Sequence, residues 1–220
     1  MARSLAATEE AAVSDRRVRA YIGLGANVGD AEATLVAAVR ALSALPSIRV
    51  RAVSRLYASV PVGVVDQPEF RNAVVALDAP AGPDPATGAL DLLASLKGLE
   101  RQFGRQERGH WGPRELDLDL LVFGRARIAV QRPAAARSID AELDPAKASK
   151  LLEVPHREAS VRLFVLAPLA DLAPGLVPPG WGCSVETARR RQAKLEGPAA
   201  IRVVGEWDAA RRRWRAPNGS

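Results

Sequence analysis

The chain holds a single cysteine, Cys183, so no disulfide can form within it, and a reducing compartment is expected. Cys183 reads as a small filler beside a turn rather than as a nucleophile. No apolar run reaches the roughly 18–20 residues a membrane helix needs. Residues 1–17 lack a continuous apolar stretch and include Glu9 and Glu10, which suits neither a secretory signal nor an acid-poor transit peptide. They are expected to form a flexible tail on a cytoplasmic protein with no membrane partner. Two nucleotide-binding patterns are also missing. Gly23 and Gly25 are followed by Val28 where a dinucleotide fingerprint needs its third glycine, and no acidic residue stands about 20 positions on to hold a ribose. The P-loop lysine and hydroxyl residue are absent too. Gly25 and Asn27 are read instead as shaping a tight turn beside a ligand.

What is present is an ordinary globular composition, 48% hydrophobic and 25% charged over 220 residues, enough to bury a core without staples. A formal charge of +6 favours anionic partners: nucleic acid, acidic lipid or phosphorylated small molecules. The clusters Arg189–Arg191 and Arg211–Arg213 read as a solvated helix face and a tail.

The informative stretch is Arg105–Phe123, RQERGHWGPRELDLDLLVF. A basic, glycine-punctuated loop runs into an alternating strand, in which residues two apart share a face. Asp117 and Asp119 therefore project together, with Cβ atoms roughly 7 Å apart, while Leu116, Leu118 and Leu120 point into a core. Paired carboxylates at that spacing suit two hard cations clamping a transferring phosphoryl group. Arg105, Arg108, Arg114 and Trp111 stand close by, which suggests a polyphosphate site.

Periodicity and punctuation give the frame. Residues 18–24 form a strand; Asp30 caps a helix over 31–45, which Pro46 ends. A second strand covers 48–57, a loop 59–69, and a third strand 70–77. On that strand Phe70 and Asn72 share a face suited to a flat heterocycle. Asp84 and Pro85 open a helix with the stripe Leu92, Leu93, Leu96, Leu99 and Phe103, closed by Gly104. Glu100 lies off the stripe, as a surface residue or a ligand contact. After the DLD strand come an exposed excursion (125–150), a proline-interrupted apolar segment after Phe164, a basic helix (184–195) and a short strand (201–204). The order β-α-β-β-α-β implies an α+β, ferredoxin-like sandwich with C-terminal additions, both helices on one face and the other face open. One domain over 18–205 is expected, with an insertion near 130–150 and a basic tail from 206.

The pieces YIGLGANVGD, SRLYASVPVG, DQPEFRNAVVAL, WGPRELDLDLLVFG, VPH and RLFVLAPLADLAP, in this order, resemble the 6-hydroxymethyl-7,8-dihydropterin pyrophosphokinase family. The resemblance implies the ferredoxin-like fold and transfer of pyrophosphate from ATP to a pterin alcohol, with two Mg2+ ions held by Asp117 and Asp119. It implies pterin contacts from Phe70, Phe164, Asn72, Trp111, Ser59, Val60 and Val62, beside Gly25 and Asn27. On the ATP side it implies Arg105, Arg114, His156, Arg162 and Glu100, with Arg108, Leu120 and Arg157 nearby. Arg105 and Arg114, with the two aspartates, are the expected catalytic set. Glu107 and His110 stand where the family often has arginines, and Glu153 where it often has a hydroxyl residue. A monomer that binds no nucleic acid is expected. The alternative from another class is an RNA-binding module on the same sheet, which needs exposed stacking aromatics where this strand offers two carboxylates.

Overall fold

The computed structural model describes residues 16–61, 67–104, 114–132 and 150–217. Its first half runs β1 (Arg17–Ala26), α1 (Ala31–Ala44), β2 (Arg49–Val53), β3 (Leu56–Ser59), β4 (Phe70–Pro80), α2 (Pro85–Gln102) and β5 (Asp117–Phe123). There follow β6 (Ile128–Gln131), β7 (Lys150–Val154), a 3-10 turn (Ala159–Val161), α3 (Leu163–Leu172), α4 (Val185–Glu196), β8 (Ile201–Asp208) and β9 (Arg213–Arg215). The main sheet has the order β5-β1-β4-β3-β8-β9, with β2 also pairing β4; β6 and β7 form a separate ribbon. The strand pairs are antiparallel.

Both early helices start as the sequence predicts. Asp30 Oδ1 accepts from Ala33 N at 3.0 Å, and Asp84 Oδ1 accepts from Ala86 N and Thr87 N at 2.8 and 3.0 Å. Each side chain thereby satisfies donors that the first turn leaves open. Leu35, Ala38, Val39 and Leu42 of α1 and Leu92, Leu96 and Leu99 of α2 bury against Ala20, Ile22 and Leu24 of β1 and Leu118 and Leu120 of β5. A register shift opposite Tyr21/Ile22 makes Leu121 an extra residue in β5. The shift reverses the alternation, so Val122 packs on the second face and Phe123 turns into the main core.

The second face is not open as expected. Val74, Leu121 and Val122 bury there against Leu166, Leu169, Val185 and Ala188 of α3 and α4. The segment read as proline-interrupted is a helix that continues through Pro168, which is buried within it. Proline removes one ladder bond, and burial of this strongly apolar segment offsets the loss. Asp171 fixes α3 to β3, accepting from the Tyr57 hydroxyl at 3.0 Å and from Arg55. Burial raises Tyr57 above the usual phenol range, and Asp171 adds to the effect. Cys183 packs beside this second core, as a filler would.

Three further expectations are corrected. The single strand over 48–57 breaks at Ser54, whose N and Oγ both pair with the backbone of Val74 at 2.9 Å. The excursion begins as strand: β6 pairs with β7 from Ile128↔Val154 to Gln131↔Lys150, and 133–149 lie outside the described residues. The stretch from 206 is a hairpin as far as Arg215 rather than a tail. Trp214 is 2% exposed; its indole donates to Ser54 O at 2.9 Å and meets Trp207 edge-on with ring centroids 4.7 Å apart. A buried indole with a satisfied N–H anchors the hairpin. Residues 1–15 and 218–220 also lie outside the described residues.

Candidate active site

On the second face a cleft of about 550 Å³ runs between the sheet and the N-terminal end of α3. Its floor is set by cross-strand register. Asp119 lies opposite Gly23 and Asp117 opposite Gly25, which on its other side faces Asn72. A Cβ on Gly25 would stand 3.6 Å from Asn72 Oδ1 and 3.9 Å from Asp117 Cβ, and one on Gly23 would stand 3.4 Å from Leu121. A methyl at either position would make ordinary contacts, so the glycines are not required by a clash; they leave the floor beside the carboxylates bare. The glycines that make no dinucleotide fingerprint thus serve the site another way.

One end of the cleft suits a flat heterocycle. Phe70, Asn72, Ser59, Val60 and Phe164 line it. Asn72, 5% exposed, donates from Nδ2 to Ser59 Oγ at 2.9 Å, while its Oδ1 is turned towards Gly25. Arg162 stands over the Phe164 ring at 5.6 Å, a cation–π arrangement.

The rest of the lining carries charge: Asp117, Asp119, Arg114, His156, Glu158 and Lys97, with Arg162 joining it to Phe164. Arg114 donates to Asp117 Oδ2, and Arg162 pairs with Glu158. Burial pulls Arg162 below its usual value; Asp119 and Asp117 oppose the shift, while Arg114 and Arg157 add to it. A guanidinium coupled to both carboxylates and to two other guanidiniums is placed to meet charge arriving in the cleft. A smaller cavity of about 200 Å³ adjoins, sharing Lys97, Asp119 and His156 and adding Leu93, Leu120, Leu152 and Arg157.

Two of the expected contact residues are tied into the protein's own hydrogen bonds. Asn27 is 2% exposed; its Nδ2 donates to Gln67 Oε1 and Pro68 O at 3.1 and 3.2 Å, and its Oδ1 accepts from Arg114 N at 2.8 Å. It ties the segment before Phe70 to the one entering β5. Glu100 is neither on the surface nor among the lining residues of either cavity. At 2% exposure its Oε1 accepts from Leu118 N at 2.7 Å and from Lys97 Nζ at 2.8 Å. Leu118 separates the two aspartates, so Glu100 braces the strand under both. Arg105, Glu107, Arg108, His110 and Trp111, like Val62, lie outside the described residues.

Lys97, Gln67, Glu158, Gln192 and Glu196 line the cleft without having been picked from the sequence. Only Lys97 carried a usable signal, its i,i+3 spacing to Glu100.

Asp117 and Asp119 fit magnesium. No cluster of three or more His, Cys, Asp or Glu is found among the described residues, and magnesium is commonly held by one or two carboxylates with substrate phosphates and water completing its shell. Asp117 already receives a cationic group from Arg114, and the bare glycine floor leaves room. No helix among the described residues is long and apolar enough to cross a membrane.

Comparison with known proteins bears on this arrangement. The model of the 7,8-dihydro-6-hydroxymethylpterin-pyrophosphokinase (HPPK) family matches residues 21–174. A 2-amino-4-hydroxy-6-hydroxymethyldihydropteridine pyrophosphokinase of Pseudomonas aeruginosa is 41% identical over 158 residues, 72% of this chain and 82% of that one. The enzyme of the same name from Methylorubrum extorquens is 39% identical over 186 residues, 84% of this chain and 98% of its own. A solved Plasmodium falciparum HPPK-DHPS chain matches with a TM-score of 0.67 at 14% identity, over 93% of this chain and 49% of that one. That likeness bears on the fold, a mixed helix and antiparallel-sheet arrangement, and this chain spans about half of the longer molecule. The family match includes both aspartates, both cleft phenylalanines and the glycine floor, and the chain belongs to the 7,8-dihydro-6-hydroxymethylpterin-pyrophosphokinase family.

Proposed function

We propose that the cleft transfers the pyrophosphoryl group of ATP to the hydroxymethyl oxygen of 6-hydroxymethyl-7,8-dihydropterin, releasing AMP, a step of folate biosynthesis. The observation that carries the reading is the floor itself: two carboxylates over paired glycines, with an apolar amide-bearing recess at one end and guanidiniums in the rest of the lining. In this reading Phe70 and Phe164 hold the pterin ring, and Asn72 and Ser59 read its edge. His156, Arg157 and Leu120 take the nucleotide side through the adjoining cavity. Arg105, Arg108 and Trp111 keep the roles that the family resemblance implies.

The hydroxymethyl oxygen attacks the β-phosphorus of ATP as the bond to the α-phosphate bridging oxygen breaks, and AMP leaves with that electron pair. The protein's work is positioning and charge neutralisation. Asp117 and Asp119 would hold two magnesium ions, which supply charge neutralisation on the phosphate oxygens and acidify the attacking hydroxyl. Arg114 and Arg162 offset remaining phosphate charge through charge-assisted hydrogen bonds. Asn27 and Glu100 keep the two carboxylates in register with the pterin recess.

Counted as one strand broken at Ser54, β2 and β3 both pair with β4; β1 to β5 then follow a βαββαβ order, and the arrangement β5-β1-β4-β3 goes with a ferredoxin-like core. A cytoplasmic setting suits an ATP-consuming enzyme with a lone thiol. An RNA-binding platform is disfavoured because α3 and α4 cover much of the second face and its remainder carries two carboxylates. The test is AMP formation from ATP and magnesium, measured with and without the pterin alcohol. Pterin-dependent release of AMP and the pterin pyrophosphate is expected; release that ignores the pterin would overturn the reading.

A further inference from the structure

The family match ends at residue 174, yet the chain returns to the cleft after it. Gln192 and Glu196, at the end of α4, line the wall beside Phe164. Glu196 Oε1 accepts from Leu163 N at 3.0 Å and from Gln192 Nε2 at 2.8 Å. Leu163 opens α3, and Arg162, which precedes it, provides no side-chain cap. Glu196 therefore supplies the missing cap from 33 positions along the chain, with the negative charge that a helix N-terminus favours. The next residue of α3 is Phe164.

Five residues beyond α4, the chain enters β8 and pairs with β3, Ile201 opposite Ser59 and Arg202 opposite Ala58. Arg202 meets Glu69 with two parallel bonds, Nη1 to Oε1 at 2.5 Å and Nη2 to Oε2 at 2.7 Å. The residue after Glu69 is Phe70. Between these contacts Ala193, Ala200, Ile201 and Val203 pack on Tyr57, Leu163 and Ala167, which joins the segment to α3 and β3 by apolar contact. Arg202 holds the Glu69 carboxyl below its usual range, against the opposing effect of burial.

We propose that Glu196 and Arg202 are positioning residues for the pterin site: a clamp from the C-terminal segment that seats Phe164 and Phe70, each through the residue preceding it. The clamp fixes the separation of two aromatic walls whose gap decides how well a planar ring stacks. The guanidinium fork of Arg202 gives direction as well as attraction, which a lysine does not match. This inference rests on the pterin reading of the cleft.

The test compares the parent with R202M, E196A, E196Q and the exchanged pair E69R/R202E. Each is titrated with 6-hydroxymethyl-7,8-dihydropterin by its fluorescence and assayed for steady-state AMP release. R202M is expected to raise the pterin Kd and KM about two- to fivefold, the scale of an exposed ion pair, and E196A about five- to tenfold, the scale of losing a charge-assisted contact to a backbone N–H. KM for ATP and kcat stay within about twofold of the parent in R202M, whose ion pair lies beside Phe70. E196Q, which keeps an acceptor oxygen for Leu163 N, recovers part of the loss. E69R/R202E recovers part of the R202M loss, because the exchanged pair re-forms while Arg71, 3.5 Å from the Glu69 carboxylate in the parent, then faces a like charge. Single variants that bind pterin like the parent, or an R202M that raises the ATP KM in parallel, overturn the clamp. A parent that releases no pterin-dependent AMP and binds no pterin overturns the function and the clamp with it.

Discussion

Replacing Glu100 separates a strut from a ligand contact. In E100A, the Leu118 N–H loses the acceptor that lies 2.7 Å away, at a site only 2% exposed. A buried donor left without a partner costs about 1–3 kcal/mol. Lys97 loses this carboxylate but keeps Leu118 O at 3.4 Å, and its side chain is 37% exposed, so the pair adds only about 0.5 kcal/mol after solvent screening. Removing the carboxylate also ends its own desolvation cost, which leaves a net loss of about 1–3 kcal/mol. For a chain of this size that corresponds to a fall in Tm of roughly 2–12 °C. E100Q, whose amide oxygen can still accept from Leu118 N, is expected to lose about 1 kcal/mol. Thermal and urea melts give the stability, and ATP and magnesium titrations of AMP release give the function. A slackened β5 raises the magnesium requirement through Asp117 and Asp119. If E100A melts within about 1 °C of the parent while the ATP KM rises tenfold or more, Glu100 is a nucleotide contact and the strut argument is wrong.

Other outcomes follow from the same geometry. D117A or D119A abolishes pterin-dependent AMP release while far-UV circular dichroism and Tm stay near the parent's, because both side chains line a cleft; near-normal turnover in saturating magnesium would sink the metal assignment. G205A destabilises by about 1–3 kcal/mol through overpacking, read by urea melts, since its Cβ would lie 2.9 Å from Trp214 Cβ and 3.3 Å from Leu56 Cβ. Glu69 is held below its ordinary 4.5, first by Arg202. A depressed carboxylate contributes stability above its unfolded pKa and loses it as pH falls through the folded one. The melting difference between the parent and E69Q should therefore be fully present at neutral pH and close below pH 4.5; a gap that persists in acid would refute the link.

The parts of the fold legible in the sequence are those governed by local rules. Asp30, Asp84 and Pro85 fix helix starts because capping acts within one turn. The alternation of Leu116, Asp117, Leu118, Asp119 and Leu120 sorts its own faces because a strand has period two. What escaped depends on partners far along the chain. Trp214 reads as part of a polar tail until β8 pairs with β3 and brings it onto Ser54. Leu163–Leu172 reads as broken by Pro168 until Val74 and Leu121 offer it an apolar face. Glu100 reads as a surface residue or a ligand contact, because helical spacing alone does not reveal that the strand following α2 presents a backbone N–H to it.

The same division runs through the site and explains why a pattern can be right in outline and wrong in detail. Side chains projecting from regular strands, Asp117, Asp119, Phe70 and Asn72, stand where periodicity puts them, because the backbone leaves them little choice. Asn27, just beyond the end of β1, has no such constraint. It faces Gln67, Pro68 and Arg114 at once, and its amide is consumed by three hydrogen bonds to them. An amide so committed has little left for a ligand, and N27A should act by loosening the segments it joins. Its cost would then fall on pterin and ATP binding together, because Asn27 links the approach to Phe70 with the approach to Asp117. A loss confined to one substrate, measured as separate KM values, would return Asn27 to the ligand side.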